Sequence, residues 1–161
     1  MVEYIEKLYL ETSVFGFFDD PLEINRDKRD SVQLLFEQIS EGFFHGICSA
    51  LTYAEIGKGP NADVRMALIE KHGIRIAAPA VKDVLELGGR YIQDGVISPA
   101  HETDAQHVAA ATLIRVDVLV SLNLRHIVKT WRERQFNAVN LKLGYPMIRI
   151  ATPEEVVRYA E

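Results

Sequence analysis

The chain has 161 residues, 48% hydrophobic and 25% charged, which gives one domain enough apolar material for its own core and is too apolar for a disordered chain. Its formal net charge is −5 with no massed Lys/Arg tail, so electrostatics alone does not point to a nucleic-acid binder; a cluster of metal-binding acids would itself feed that sum, so a nuclease is not excluded. A single cysteine, Cys48, excludes an internal disulfide.

There is no apolar run of the roughly 18–20 residues that a spanning helix needs, and Met1-Val2-Glu3-Tyr4-Ile5-Glu6 is neither basic nor leader-like. The expected setting is therefore the cytoplasm, without a membrane partner, which also suits an unpaired cysteine. Cys48 itself sits in the apolar run Gly46-Ile47-Cys48 and reads as a strand residue rather than a nucleophile.

In chain order, residues 7–11 read as a short strand, followed by an aromatic stretch, Val14 to Asp20, that closes on the turn signal of Pro21. Val32, Leu35, Phe36 and Ile39 recur at helical spacing behind a cap at Asp30 or Ser31, and Gly42 ends that helix. Phe43 to Ser49 reads as a second strand, with a helix over 50–57 and further helices over 61–72 and 80–94. Ile74 to Ala77 forms a short strand between those two, and Val96 to Pro99 a loop. A helix over 103–115 precedes the clearest strand, 116–122. Helices over 124–133 and 136–143, a strand over 147–150 and a terminal helix complete the chain; Thr152, Pro153 and Glu155 spell a capping box. Strands alternating with helices specify an α/β fold on a parallel sheet, with no linker, repeat or low-complexity segment to divide residues 1–161.

Four polar residues stand where strands end or helices begin: Glu11, Glu55, Asp104 and Asn123. Parallel strands bring their carboxyl ends to one edge, where the following helices start, so residues this far apart in sequence can meet. Their joint use is to hold a hard divalent cation through oxygen ligands. Taken singly each has a plainer role. Asp104 also reads as an N-cap worth ~1 kcal/mol, Glu55 as a solvated helix residue, and Asn123 as a turn residue. Glu11 abuts an apolar strand and needs a partner or solvent.

Three stretches taken together resemble the PIN-domain family, in its toxin-like (VapC-type) branch. Leu8-Tyr9-Leu10-Glu11-Thr12-Ser13 is similar to that family's opening strand, which usually carries Asp before Thr or Ser. Thr103-Asp104-Ala105-Gln106-His107-Val108-Ala109-Ala110-Ala111 resembles its Asp-Ala helix, and Val118 to Ile127 its strand ending in Ser-x-Asn. Glu55 falls where the family places a Glu after its second strand, and the tail from Gly144-Tyr145-Pro146 to Ile150-Ala151-Thr152-Pro153-Glu154-Glu155 matches the toxin branch. The resemblance covers nearly the whole chain and implies a PIN-like three-layer α/β/α fold with a short twisted parallel sheet. It also implies a metal-dependent endoribonuclease, with RNA as substrate, a homodimer and a cognate antitoxin protein as partners. The chain departs from the family at Glu11, one methylene longer than Asp, and at Asn123, a neutral oxygen donor. Three anionic groups then suit one Mg²⁺ or Mn²⁺ and argue against two tightly held ions.

On this reading Glu11, Asp104 and Glu55 are the metal-facing acids. Glu55 orients or deprotonates water, and Asn123 completes the catalytic set. Ser13 and Ser121, and Thr12 by the same logic, bond metal-bound water, hold the acids in place or simply satisfy loop backbone groups, while Arg125 and His126 meet a substrate phosphate or merely cap and solvate a helix start. His107 lies among Ala and Val and reads as a packed, hydrogen-bonded core residue; no His or Cys spacing marks a zinc site. Phe15, Phe17 and Phe18 either stack bases or pack against the body or a partner. Two other functions stay open: a catalytically degenerate PIN module that binds RNA or protein, and a phosphohydrolase of small phosphoesters. The latter lacks a Gly-rich phosphate loop and an Asp-x-Asp motif.

Overall fold

The computed structural model describes residues 3–160; Met1 and Val2, part of the N-terminus read above, lie outside them, as does Glu161. Five strands, β1 (Glu6–Leu10), β2 (Phe44–Ser49), β3 (Arg75–Ala77), β4 (Val118–Val120) and β5 (Arg149–Ala151), form one wholly parallel sheet in the order β3-β2-β1-β4-β5. The chain steps outward from β1 to β3, then crosses back to lay β4 on the other side of β1. That reversal opens a crevice beyond the carboxyl ends of β1 and β4, where the connections leave to opposite sides.

Side-chain alternation along β1 divides the interior into two cores. Leu8 and Leu10 face one layer with Val14, Phe15, Val32, Leu35 and Phe36; Tyr9 faces the other with Leu87, Tyr91, Val108, Leu119 and Phe136. Both faces of the sheet are thus covered, as a parallel sheet requires. The three layers of the α/β/α reading are present.

The helices are α1 (Thr12–Phe17), α2 (Arg26–Ser40), α3 (Ala50–Lys58), α4 (Ala62–Lys71), α5 (Val81–Gln93), α6 (Glu102–Ile114), α7 (Thr130–Lys142) and α8 (Pro153–Val156). The Thr152 capping box forms as expected. Four expectations need correction. α2 starts at Arg26, not behind Asp30 or Ser31, because a 3-10 turn over Glu23–Asn25 feeds straight into it, pinned by Asp20 to the Leu22 N–H and Asn25 side chain. The strand expected over 116–122 pairs only from Val118 to Val120. No helix spans 124–133: Asn123 folds the chain into a turn, its Oδ1 accepting the His126 N–H and its carbonyl accepting those of Ile127 and Val128. Fully buried Ile127 anchors that turn, and a single helix, α7, replaces the two expected pieces.

The aromatic stretch after Glu11 also resolves. It forms α1, whose Phe15 is buried and meets Phe36 edge-on at 5.4 Å, with Phe18 on the same ring at 5.5 Å. Phe17 packs partly buried against this core. The cluster is body packing.

Candidate active site

Glu11 is the first residue beyond β1 and caps α1. Its longer arm curls back so that Oε2 accepts the Ser13 N–H at 3.0 Å. Oε1 accepts two hydroxyls, Ser13 Oγ at 2.5 Å and Ser121 Oγ at 2.6 Å. Those hydroxyls in turn accept the backbone N–H groups of Leu122 and Asn123. A buried carboxylate, 6% exposed, is therefore stitched to the end of β4 through two serines. Ser13 and Ser121 hold an acid in place and also satisfy loop backbone groups, two of the three roles open to them.

Glu55 projects from the middle of α3 and is not a freely solvated helix residue. Its Oε1 accepts Thr12 Oγ1 at 2.8 Å and is hydrogen-bonded to His107 Nε2. His107, 1% exposed on α6, meets the Tyr9 hydroxyl through Nδ1 at 2.7 Å. Tyr9 also reaches Ser49 Oγ at 2.8 Å and Thr52 Oγ1 at 3.3 Å. The network closes when Tyr9 donates to Nδ1 and the Nε2 proton points at Glu55, an assignment drawn from the partners. Burial pushes the Glu55 carboxyl upward, but the hydrogen bond and electrostatic pull of the His107 N–H and the Thr12 hydroxyl outweigh it, and the group lies below its ordinary value of 4.5.

That direction fixes a pH dependence. Glu55 contributes stability above its unfolded value of about 4.5 and loses that contribution as pH falls through the lower folded value. Glu55→Gln should flatten the acid limb of the stability curve just below pH 4.5, read from melting temperatures across that range; an unchanged limb would remove the His107–Glu55 linkage. Tyr9→Phe deletes a hydroxyl on which Ser49, Thr52 and His107 converge in the core. It should cost about 2 kcal/mol, seen as a lower urea midpoint at constant slope; an unshifted midpoint would show that the network adds nothing to folding.

Asp104 is the third residue of α6, not its N-cap, which is His101. It is half-buried, and both Asn123 and the Glu11 charge act on its carboxyl. Burial raises its pKa first, the Asn123 bond lowers it, and Glu11 raises it again; the net direction is upward from 3.8. Asn123 Oδ1 accepts the His126 N–H at 3.0 Å, which fixes the side chain at the turn beside Asp104. At the rim, the rings of His101 and His126 stack at 3.5 Å, and His101 Nδ1 lies 4.0 Å from Asp104 Oδ2. Slight burial, then His101, Arg132 and Arg125, hold His126 below its ordinary value against the pull of Asp104. Arg125 is exposed.

The sheet edge thus brings Glu11, Asp104 and Asn123 together with Ser13 and Ser121, and sets Glu55 beside them through Thr12. Among the described residues no three His, Cys, Asp or Glu side chains stand close enough to ligate one ion directly. Glu11 is fully engaged by its donors, and Asp104 is the least occupied carboxylate. Such oxygen donors fit a hard ion that keeps most of its water, as Mg²⁺ does, and do not fit a dry multidentate site. Cys48 takes no part: burial pushes its thiol up to about 12.

No protein-family model matches the chain, and no curated protein matches it in sequence. Its structure is similar to a chain of VapBC2 from Rickettsia felis, solved bound to a DNA fragment from their promoter, at 16% identity and a TM-score of 0.54 over 91% of this chain and 98% of that one. The fold is PIN-like. Tyr9, Ser49 and Thr52 lie outside the site residues that the sequence motifs mark, although a Tyr inside an apolar strand signals a buried hydroxyl that needs a partner. No helix among the described residues is long and apolar enough to cross a membrane.

Proposed function

We propose that this chain is an endoribonuclease that uses a hydrated Mg²⁺ or Mn²⁺ to hydrolyse RNA phosphodiester bonds, acting as the toxin of a toxin–antitoxin pair. The observation that carries this reading is a half-buried Asp104 at the topological switch of a PIN-like sheet, with Glu11 close enough to raise its pKa. An acid whose charge is disfavoured by burial and by a second acid gains from a nearby cation. The likeness to VapBC2, which was solved on promoter DNA, supports an antitoxin as partner, and a homodimer belongs to the same proposal.

In this mechanism Asp104 would hold the ion, with Glu11 and Glu55 as the other acids facing it. When bound, the ion supplies Lewis-acid polarisation of the phosphate and a more acidic water. Glu55 is ionised at neutral pH, and His107 and Thr12 fix its Oε1; it takes the proton of the attacking water. Asn123 orients Asp104 and limits its rotation. Arg125, with a forked donor, and His126 meet the phosphate at the rim. Ser13 and Ser121 serve by holding Glu11.

The test is the chemistry of the cut ends. Water attack leaves a 5′-phosphate and a 3′-hydroxyl, which a 5′-phosphate-dependent exonuclease and 3′-end labelling detect. A 2′,3′-cyclic phosphate would mean attack by the ribose hydroxyl and would overturn the role given to Glu55. A degenerate module that binds RNA or protein without cutting is favoured by one feature, the complete engagement of Glu11 by Ser13 and Ser121. It predicts RNA or partner binding with no cut ends under any metal.

A further inference from the structure

Residues 124–134, next to the acid cluster, read Leu-Arg-His-Ile-Val-Lys-Thr-Trp-Arg-Glu-Arg. Arg125, Lys129, Arg132 and Arg134 fall within this one stretch of a chain whose formal net charge is −5. Its sole acid, Glu133, is turned inward, with Oε2 accepting the Ile150 N–H at 2.6 Å. Arg125, Lys129 and Arg134 are exposed, so the stretch presents positive charge to solvent.

The chain's single tryptophan stands in the middle of that charge. Trp131 lies in the first turn of α7 and is 50% exposed, an unusual position for the largest apolar side chain. Arg134, three residues on, shares its exposed helix face. The Arg132 guanidinium lies 4.5 Å from the Trp131 ring centroid, and its Nη1 donates to the His126 carbonyl at 2.9 Å. One cation therefore ties the indole to the turn whose His126 stacks on His101 beside Asp104. The indole is held at the rim of the site.

A flat aromatic face among exposed cations is the combination that an unpaired nucleic-acid strand needs, with stacking for the bases and charge for the backbone. A duplex buries its base faces in its own stack and offers nothing to an indole. We infer that residues 125–134 form a docking surface for single-stranded RNA that leads the strand to Asp104, with Trp131 stacking one base and Arg125, Lys129 and Arg134 pairing with phosphates. The inference rests on the proposed ribonuclease reading for its choice of RNA and deepens it by requiring an unpaired strand. The dense cation set decides against a protein partner for this face, since it matches a polyanion.

The single tryptophan is its own reporter. The full chain, in EDTA so that nothing is cut, is titrated with a 12-nucleotide oligo(U) while Trp131 fluorescence is followed, then with an RNA duplex of equal length. The expected result is saturable quenching by oligo(U) and binding of the duplex at least about tenfold weaker. Arg125→Ala leaves the reporter in place and should lower the slope of log affinity against log salt by about 0.7. Trp131→Ala, followed by anisotropy of a labelled oligo(U), should weaken binding about tenfold. Binding without any change in Trp131 emission, or equal affinity for the duplex, would overturn the inference. So would a Trp131→Ala chain that changes oligomeric state with unaltered RNA affinity, which would assign the face to a protein contact. Quenching without cleavage in later metal assays would keep the surface and remove the nuclease; cleavage with a silent Trp131 would do the reverse.

Discussion

Glu11→Ala should destabilise the protein by about 3 kcal/mol, a fall of roughly 6–12 °C in melting temperature for a domain of this size. The carboxylate closes a bond from the Ser13 N–H and bonds from the Ser13 and Ser121 hydroxyls while almost wholly buried. Removing it takes away the cap of α1, worth about 0.5–2 kcal/mol, and leaves the buried Ser121 hydroxyl and the partly buried Ser13 hydroxyl without their acceptor. The relief of repulsion on Asp104 offsets part of this loss. Glu11→Asp should behave differently. Asp caps helices well, so most of the stability should return, and RNA cleavage should be retained or raised as the shorter arm frees an oxygen. Thermal melts of the three proteins, with cleavage assayed on each, check both statements. An Ala variant as stable as wild type would show that the serine clamp is ornamental. An Asp variant that folds but has no activity would show that this cavity needs the longer arm.

Asp104→Asn should lower cleavage at least a hundredfold, the usual scale for losing a group that stabilises developing charge, with no loss of stability. The two effects have one cause. Burial and Glu11 raise the Asp104 pKa, so the ionised acid is held at a cost in the fold. A raised folded value means the folded chain binds the proton more tightly than the unfolded one. Stability from Asp104 therefore grows as pH falls through the folded value and is lost as pH rises above it. A neutral Asn should match or exceed wild-type stability at pH 7 and lose that advantage as pH falls below 3.8, where Asp104 becomes protonated in both states. Melts at both pH values beside cleavage rates test the pair of claims. Full turnover by the variant would sink the site; a large loss of stability at pH 7 would mean that Asp104 is structural.

What the chain made legible followed short-range rules. β1, β2 and α3 lie within a residue or so of their expected bounds because apolar runs and spacing determine them locally. Grouping Glu11, Asp104 and Asn123 needed only the rule that parallel strands share a carboxyl edge. The missing helix over 124–133 shows a local competitor winning: the Asn123 side chain offers the backbone a turn, and buried Ile127 pulls that turn inward. The Tyr9–His107–Glu55 chain was out of reach for another reason. Tyr9 and His107 are 98 residues apart, and His107 and Glu55 are 52 apart, so no window of sequence contains the pair. His107 was readable as buried and hydrogen-bonded, but its partners were not. The inward turn of Phe15 was likewise set by Phe36 on another helix.

Whether this edge cuts RNA with a hydrated divalent ion is decided by incubating the purified chain with a pool of structured and single-stranded RNA. The incubations contain Mg²⁺, Mn²⁺ or EDTA, with Asp104→Asn prepared alongside. Cleavage is expected with either metal, with none in EDTA and none from the variant. Folded, antitoxin-free protein that leaves the pool intact under every metal would contradict it, as would cleavage that survives both EDTA and the loss of Asp104.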